Sequence, residues 1–152
     1  MRWEKLGRIF DPRDHALPHG CREFAQAPQA LVGDGFVRIY FSTRSVDAQG
    51  GKFRSHIAYV DMAQDFSRVL DVSAHTVLEL GGPGCFDEHG IFPMNVLRDG
   101  ARVLGYTSGV NRRVSVPVDS AIGLVVSDDG GRRFRREGLG PVLGPALHEP
   151  CL

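Results

Sequence analysis

Glu23-Phe24-Ala25-Gln26-Ala27-Pro28-Gln29-Ala30-Leu31-Val32 lies without a gap over Glu88-His89-Gly90-Ile91-Phe92-Pro93-Met94-Asn95-Val96-Leu97, so that the two prolines stand 65 positions apart. Other landmarks keep that spacing to within a residue. Gly35 falls on Gly100, Ile57 on Ile122 and Val77-Leu78 on Val142-Leu143 at 65, and Arg38-Ile39-Tyr40 falls on Arg102-Val103-Leu104 at 64. Cys21, Cys85 and Cys151 join them with gaps of 64 and 66. A period of this length is the mark of one supersecondary unit used more than once.

The unit is built of strands. Phe36 to Ser42, His56 to Val60, Ala101 to Tyr106 and Ala121 to Val126 are rich in β-branched and aromatic residues, and glycines and prolines punctuate the chain evenly between them. No long window free of Gly and Pro keeps apolar residues at helical spacing. The best one, Val60 to Val72, is interrupted by Asp61, Asp65 and Asp71. The chain is therefore read as all-β. About four short antiparallel strands fit each period, which is the make-up of a β-propeller blade, a sheet too small to bury its faces without stacked neighbours. On this reading residues 1–21 are the closing strand of a blade, residues 22–84 a first blade and residues 85–150 a second. Together, residues 1–152 make a single incomplete propeller domain. Propellers close with four to eight blades. The chain is thus expected to be a truncated or fragmentary copy of a larger ring, or to self-associate through open blade edges.

Ser127-Asp128-Asp129-Gly130-Gly131-Arg132-Arg133-Phe134 fits the Asp-box pattern Ser-x-Asp-x-Gly-x-x-aromatic. In that hairpin turn the Asp accepts backbone N–H bonds, the Gly takes positive φ and the aromatic caps the turn. Its role is structural.

The stretches Trp3 to Phe10, Arg38 to Arg44, Ser55 to Asp61, Gly84 to Pro93 and Ser120 to Gly131 together resemble the N-terminal half of a five-bladed β-propeller glycosidase. The family resembled is the superfamily of glycoside hydrolase families 43, 62, 32 and 68. The resemblance implies a glycosidase-like hydrolase, with two of five blades in this chain and a carbohydrate as substrate or ligand. Its chemistry needs one carboxyl protonated toward the leaving oxygen and one ionised to activate water or attack the anomeric carbon. The inner strands supply both. By this resemblance Asp87, Glu88 and Glu149 are the catalytic candidates. Arg44 is placed to hold a sugar hydroxyl or the carboxylate of an acidic sugar, and His89, Asp11, Asp14 and Arg22 are further substrate-binding candidates. One departure stands out: the family characteristically has an Asp immediately before the proline of the first inner strand, where this chain has Ala27-Pro28. That departure motivates the alternative of a carbohydrate-binding propeller without catalysis.

Several of these residues also have plainer roles. Asp87 near a glycine is the setting of a turn cap, and the recurrence of Glu23 and Glu88 in both units suits scaffold better than an asymmetric active site. The six histidines show no metal-ligand spacing, so neither metal nor cofactor is expected. Eighteen Lys and Arg balance eighteen Asp and Glu, which removes the basic surplus that nucleic acid or an anionic membrane would require. No apolar run approaches the ~20 residues of a membrane span. Three cysteines and a charged start, Met1-Arg2-Trp3-Glu4-Lys5, point to a reducing, cytoplasmic setting without a disulfide framework.

Overall fold

The computed structural model describes residues 2–47, 51–146 and 148. Strands dominate it, and no α-helix occurs among the described residues. In chain order the strands are β1 Glu23–Val32, β2 Phe36–Val46, β3 Phe53–Ala63, β4 Val69–Val72, β5 Gly90–Asp99, β6 Arg102–Asn111, β7 Asp119–Ser127 and β8 Arg135–Arg136. The all-β reading is borne out. No helix among the described residues is long and apolar enough to cross a membrane.

Each half of the chain is an antiparallel meander, β1-β2-β3-β4 and then β5-β6-β7-β8. The two are joined by one parallel bridge, Ser55 to Gly90. The prolines that head the repeat explain the local form of the first strand in each meander. Pro28 lies in a bulge between Gln26 and Gln29, and Pro93 in one between Ile91 and Met94. A proline has no N–H for the ladder, so a bulge is where a strand tolerates it. Gly35 and Gly100 both take positive φ in the following hairpins, 79° and 59°.

The repeat is less uniform than its landmarks suggest. Gln29 pairs with Tyr40 and Met94 with Thr107, so β6 follows β2 at 67 positions. Arg38 to Tyr40 and Arg102 to Leu104, matched at 64 in the sequence, therefore occupy different places in their hairpins. Likewise Ser42 faces Ile57 and Gly109 faces Ala121, which sets Ile57 against Ala121 in place of Ile122. The reason lies in hairpin length: Val32 pairs with Val37, whereas Leu97 pairs with Leu104. A turn in solvent changes length at little cost while the strands beside it are held by packing. Residues 2–21, the described part of the stretch 1–21 read as a closing strand, contain two 3-10 turns, Pro12–Asp14 and Pro18–Gly20, and pair with no strand among the described residues.

Two apolar clusters hold the fold. Leu31, Tyr40, Ile57, Tyr59, Ile91, Met94, Val103, Val125 and Phe134 meet between the meanders, with Val77 and Leu78 of the connecting segment. Phe41, Ala58, Val60 and Met62 point to the opposite face of the first meander, where Leu17, Cys21 and Phe10 cover them. Consequently β3 is buried continuously from His56 to Met62, as a strand covered on both faces must be. By contrast β6 alternates, with Val103, Gly105, Thr107, Gly109 and Asn111 inward and their neighbours more open.

The Ser127–Phe134 turn is built from its own side chains. Asp129 Oδ1 accepts the backbone N–H groups of Arg132 and Arg133 at 2.9 and 3.0 Å. Ser127 Oγ donates to the same oxygen at 2.7 Å and accepts from Gly131 N at 2.8 Å. Burial alone would raise the Asp129 carboxyl, but the bonds from Arg133, Ser127 and Arg132 outweigh it and hold it below the usual range. Gly131 is required twice over. Its φ is +87°, and a Cβ there would stand 2.2 Å from the Tyr40 hydroxyl. That hydroxyl donates to Gly131 O at 2.6 Å, pinning the turn of the second meander to β2 of the first.

Candidate functional site

At one rim of the molecule β2 and β6 end while β3 and β5 begin. Strand ends concentrate side chains that the ladder does not use, and here they enclose a cavity of about 470 Å³. The first meander contributes Arg44, Lys52, Phe53 and Ser55, and the second contributes His89, Phe92, Val110, Arg112 and Arg113, with Pro117 and Val118 from the loop that follows. The site therefore exists only because the two meanders meet.

Arg112 makes that junction firm. Its Nη2 donates to Phe53 O at 2.7 Å and its Nη1 to Asp47 Oδ2 at 3.3 Å, tying the end of β6 to the β2–β3 hairpin. Arg54 Nε donates to the same Asp47 oxygen at 3.1 Å. Arg113 is paired with Asp119 at 2.8 Å. Arg44 is different: its guanidinium carbon lies 5.0 Å from the Phe24 ring centre and 5.8 Å from that of Phe53. Its Nε is buried without a hydrogen-bond partner among the described residues.

His89 is held by backbone and side chain. Its N–H donates to Val110 O at 3.0 Å, and its Nδ1 lies 3.1 Å from Asn111 Oδ1. Asn111 in turn donates from Nδ2 to Cys85 O at 3.1 Å. Arg112 N–H also points at Nδ1, at 3.4 Å, so a proton on Nδ1 makes Asn111 its partner and a proton on Nε2 makes Arg112 its partner. Glu88 Oε1 lies 3.7 Å from that Nε2, while Oε2 accepts from Gly84 N at 2.7 Å and closes the turn before β5.

Asp87 points elsewhere. It is buried, and its Oδ2 accepts from Nε and Nη2 of Arg136 on β8, across the face of the second meander. Arg136 Nη2 also donates to Glu79 O at 2.6 Å, so the pair staples the connecting segment onto the sheet. Phe86 assists by lying over Gly109 and Gly123, where a Cβ would stand 2.4 Å from its ring.

Of the residues singled out in the sequence, Arg44 and His89 are thus brought together in one cavity, and Glu88 stands behind His89. Asp11 lies in a separate recess with Phe10, Arg13, Glu23 and Phe24. The side chain and backbone N–H of Arg13 both donate to its carboxylate, and Arg8 lies 3.0 Å away, which together hold it well below the usual carboxylate range. Asp14 and Arg22 are exposed. Glu149 lies outside the described residues, as does Cys151. Lys52, Phe53, Phe92 and Arg112 were not anticipated. The signal that finds them is position: each stands within three residues of the end of a strand at the Arg44 rim. Among the described residues no three His, Cys, Asp or Glu side chains converge as metal ligands.

No protein-family model matches the chain. Two relatives do, the uncharacterized proteins MT1551 and Rv1502 from two strains of Mycobacterium tuberculosis, each 35% identical over 152 residues. The match takes in 99% of this chain and 48% of theirs, so the chain spans about half the length of the curated relatives it matches. Among solved structures it is similar to Zg3597, a family 117 glycoside hydrolase produced by the marine bacterium Zobellia galactanivorans. The TM-score is 0.66 at 15% identity, over 84% of this chain and 36% of that one. That likeness establishes a shared fold, one also used by a glycoside hydrolase.

Proposed function

We propose that the two meanders are adjacent blades of a five-bladed propeller, and that the protein is a glycosidase-like hydrolase whose saccharide enters the cavity between Arg44 and His89. The observation that carries this reading is the cavity itself, at a rim where strands of both meanders begin and end, in a fold shared with a glycoside hydrolase. Three features support the propeller. Each meander has four strands, the Ser127–Phe134 turn has the bonding of an Asp box, and β6 leaves its outer positions more open, as a blade awaiting a neighbour would. The relatives are about twice as long, which leaves room for about two and a half further periods; with residues 1–21 read as closing one more blade, that fits a ring of five.

In this reading Glu88 is the carboxylate nearest the cavity among the catalytic candidates of the described residues. Asp87, bound to Arg136, positions the segment that carries it. Glu149 is kept as a catalytic candidate from the sequence resemblance alone. Arg44 and the edge of His89 hold the sugar, and Phe53 and Phe92 offer apolar faces for its ring.

The second reading is a carbohydrate-binding propeller without catalysis. Ala27 stands where the resembled family has an Asp, and no carboxylate lines the cavity among the described residues. The test is a panel of aryl glycosides and oligosaccharides assayed for both binding and bond cleavage. Turnover that falls at least 100-fold in Glu88→Gln supports hydrolysis through that group. Binding without any turnover selects the second reading.

A further inference from the structure

The charge of the cavity is unlike that of the chain. The whole sequence balances eighteen cations against eighteen anions, yet the described residues lining this cavity include Arg44, Lys52, Arg112, Arg113 and the imidazole of His89, and no carboxylate. Pairing removes part of that charge. Arg112 is answered by Asp47 and Arg113 by Asp119. Arg44 and Lys52 have no ion pair among the described residues, and they stand at the two ends of the same hairpin, the end of β2 and the residue before β3.

Arg44 is also the more revealing of the two. Phe24 and Phe53 flank its guanidinium and strip it of part of its water, and its buried Nε finds no acceptor among the described residues. A buried donor on a charged group without an acceptor costs more than an ordinary lost hydrogen bond. The Nε is closed to solvent, but the Nη groups, which carry no hydrogen bond among the described residues, are not, and a carboxylate or ester oxyanion meeting them supplies the charge-assisted N–H bonds that the guanidinium lacks. Phe53 serves both purposes, since it flanks Arg44 and lines the cavity.

We infer that the cavity takes a saccharide bearing an anionic group, a carboxylate, phosphate or sulfate, received by Arg44 and Lys52 while the sugar ring lies toward Phe53, Phe92 and His89. This rests on the carbohydrate reading above and adds a charge requirement to it. Neutral sugars then lack the group that satisfies Arg44, and discrimination follows from leaving that guanidinium unanswered.

The experiment titrates the chain, at fixed ionic strength, with glucose, glucuronic acid, glucose 6-phosphate, glucose 6-sulfate, inorganic phosphate and inorganic sulfate, read by calorimetry or ligand-observed NMR. At least one of the three sugar acids is expected to bind tenfold or more tightly than glucose, and the tightest identifies the anionic group. Arg44→Gln and Lys52→Gln are each expected to cut that preference about tenfold, with the circular dichroism spectrum unchanged. If Arg44→Gln does not fold, Lys52→Gln at an exposed position carries the same comparison. Equal binding of glucose and the sugar acids overturns the charge requirement and leaves the carbohydrate reading standing. Inorganic anions binding as tightly as the sugar acids overturn the saccharide assignment. Binding of no probe overturns both.

Discussion

Arg38 on β2 and Asp61 on β3 face each other inside the first meander, Nε and Nη2 donating to the two carboxylate oxygens at 2.7 Å each. The third arm of the guanidinium, Nη1, donates at 3.1 Å to Gly130 O, in the turn of the second meander. The Tyr59 ring lies 4.1 Å from its carbon. Both side chains are almost fully buried, and although burial lowers the Arg38 pKa, the bonds to Asp61 outweigh it and raise it above its ordinary value.

Removing one member of that pair leaves the other charged and buried. Arg38→Leu or Asp61→Leu alone is expected to cost about 3–5 kcal/mol, whereas the double substitution is expected to recover a large part of the loss. Tyr40→Phe, which deletes only the bond to Gly131 O, is expected to cost about 1 kcal/mol. Urea unfolding of the four variants checks the series.

Asp87→Ala tests the staple. It leaves Arg136 without its carboxylate and is expected to destabilise by roughly 3 kcal/mol, with saccharide affinity changed less than threefold. Thermal melting and binding measured on the same sample separate the two effects. A selective loss of turnover at unchanged stability would instead place Asp87 in the chemistry.

His56 gives the fold a pH dependence. Burial, then the nearby charges of His19 and Arg54, push its pKa down to about 4 from an ordinary value near 6.5. The folded state therefore keeps it neutral while the unfolded chain takes up a proton. Its contribution to stability is full above pH 6.5 and is lost as the pH falls toward 4, by at most about 3 kcal/mol. His56→Gln is expected to flatten that part of the curve, read as the urea midpoint at pH 7.5, 5.5 and 4.5.

Gly123→Ala is expected to destabilise by about 1–3 kcal/mol, because its Cβ would meet Phe86 at 2.4 Å and Thr107 Oγ1 at 3.0 Å. Paired with Phe86→Leu the two losses are expected to sum to less than their parts, since the smaller side chain relieves the clash.

The strands and the turn were legible because both are local. β-branched runs between glycines gave β2, β3, β6 and β7, and Ser127, Asp129 and Phe134 gave a turn whose bonds close within eight residues. The repeat aligned the two prolines that lie in bulges but mismatched β2 with β6, because hairpin length is set by solvent-exposed residues that no periodicity constrains. The cavity was half legible. Arg44 and His89, singled out in the sequence, line it, while Lys52, Arg112 and Phe53 depend on the ends of two meanders meeting, a relationship with no sequence spacing. Asp87 shows the converse: its sequence neighbours suggest the pocket, but its carboxylate is bound by Arg136, 49 positions away, and it does not line the cavity.

The most direct test of the account is a map of amide chemical shifts on the 15N-labelled chain during titration with glucuronic acid, glucose 6-phosphate and glucose. The largest shifts are expected from a sugar acid, confined to Arg44, Phe53, Ser55, His89, Phe92 and Arg112. Shifts centred on the 127–134 turn or on the Asp11 recess, or no shift at all at saturating sugar, would contradict it.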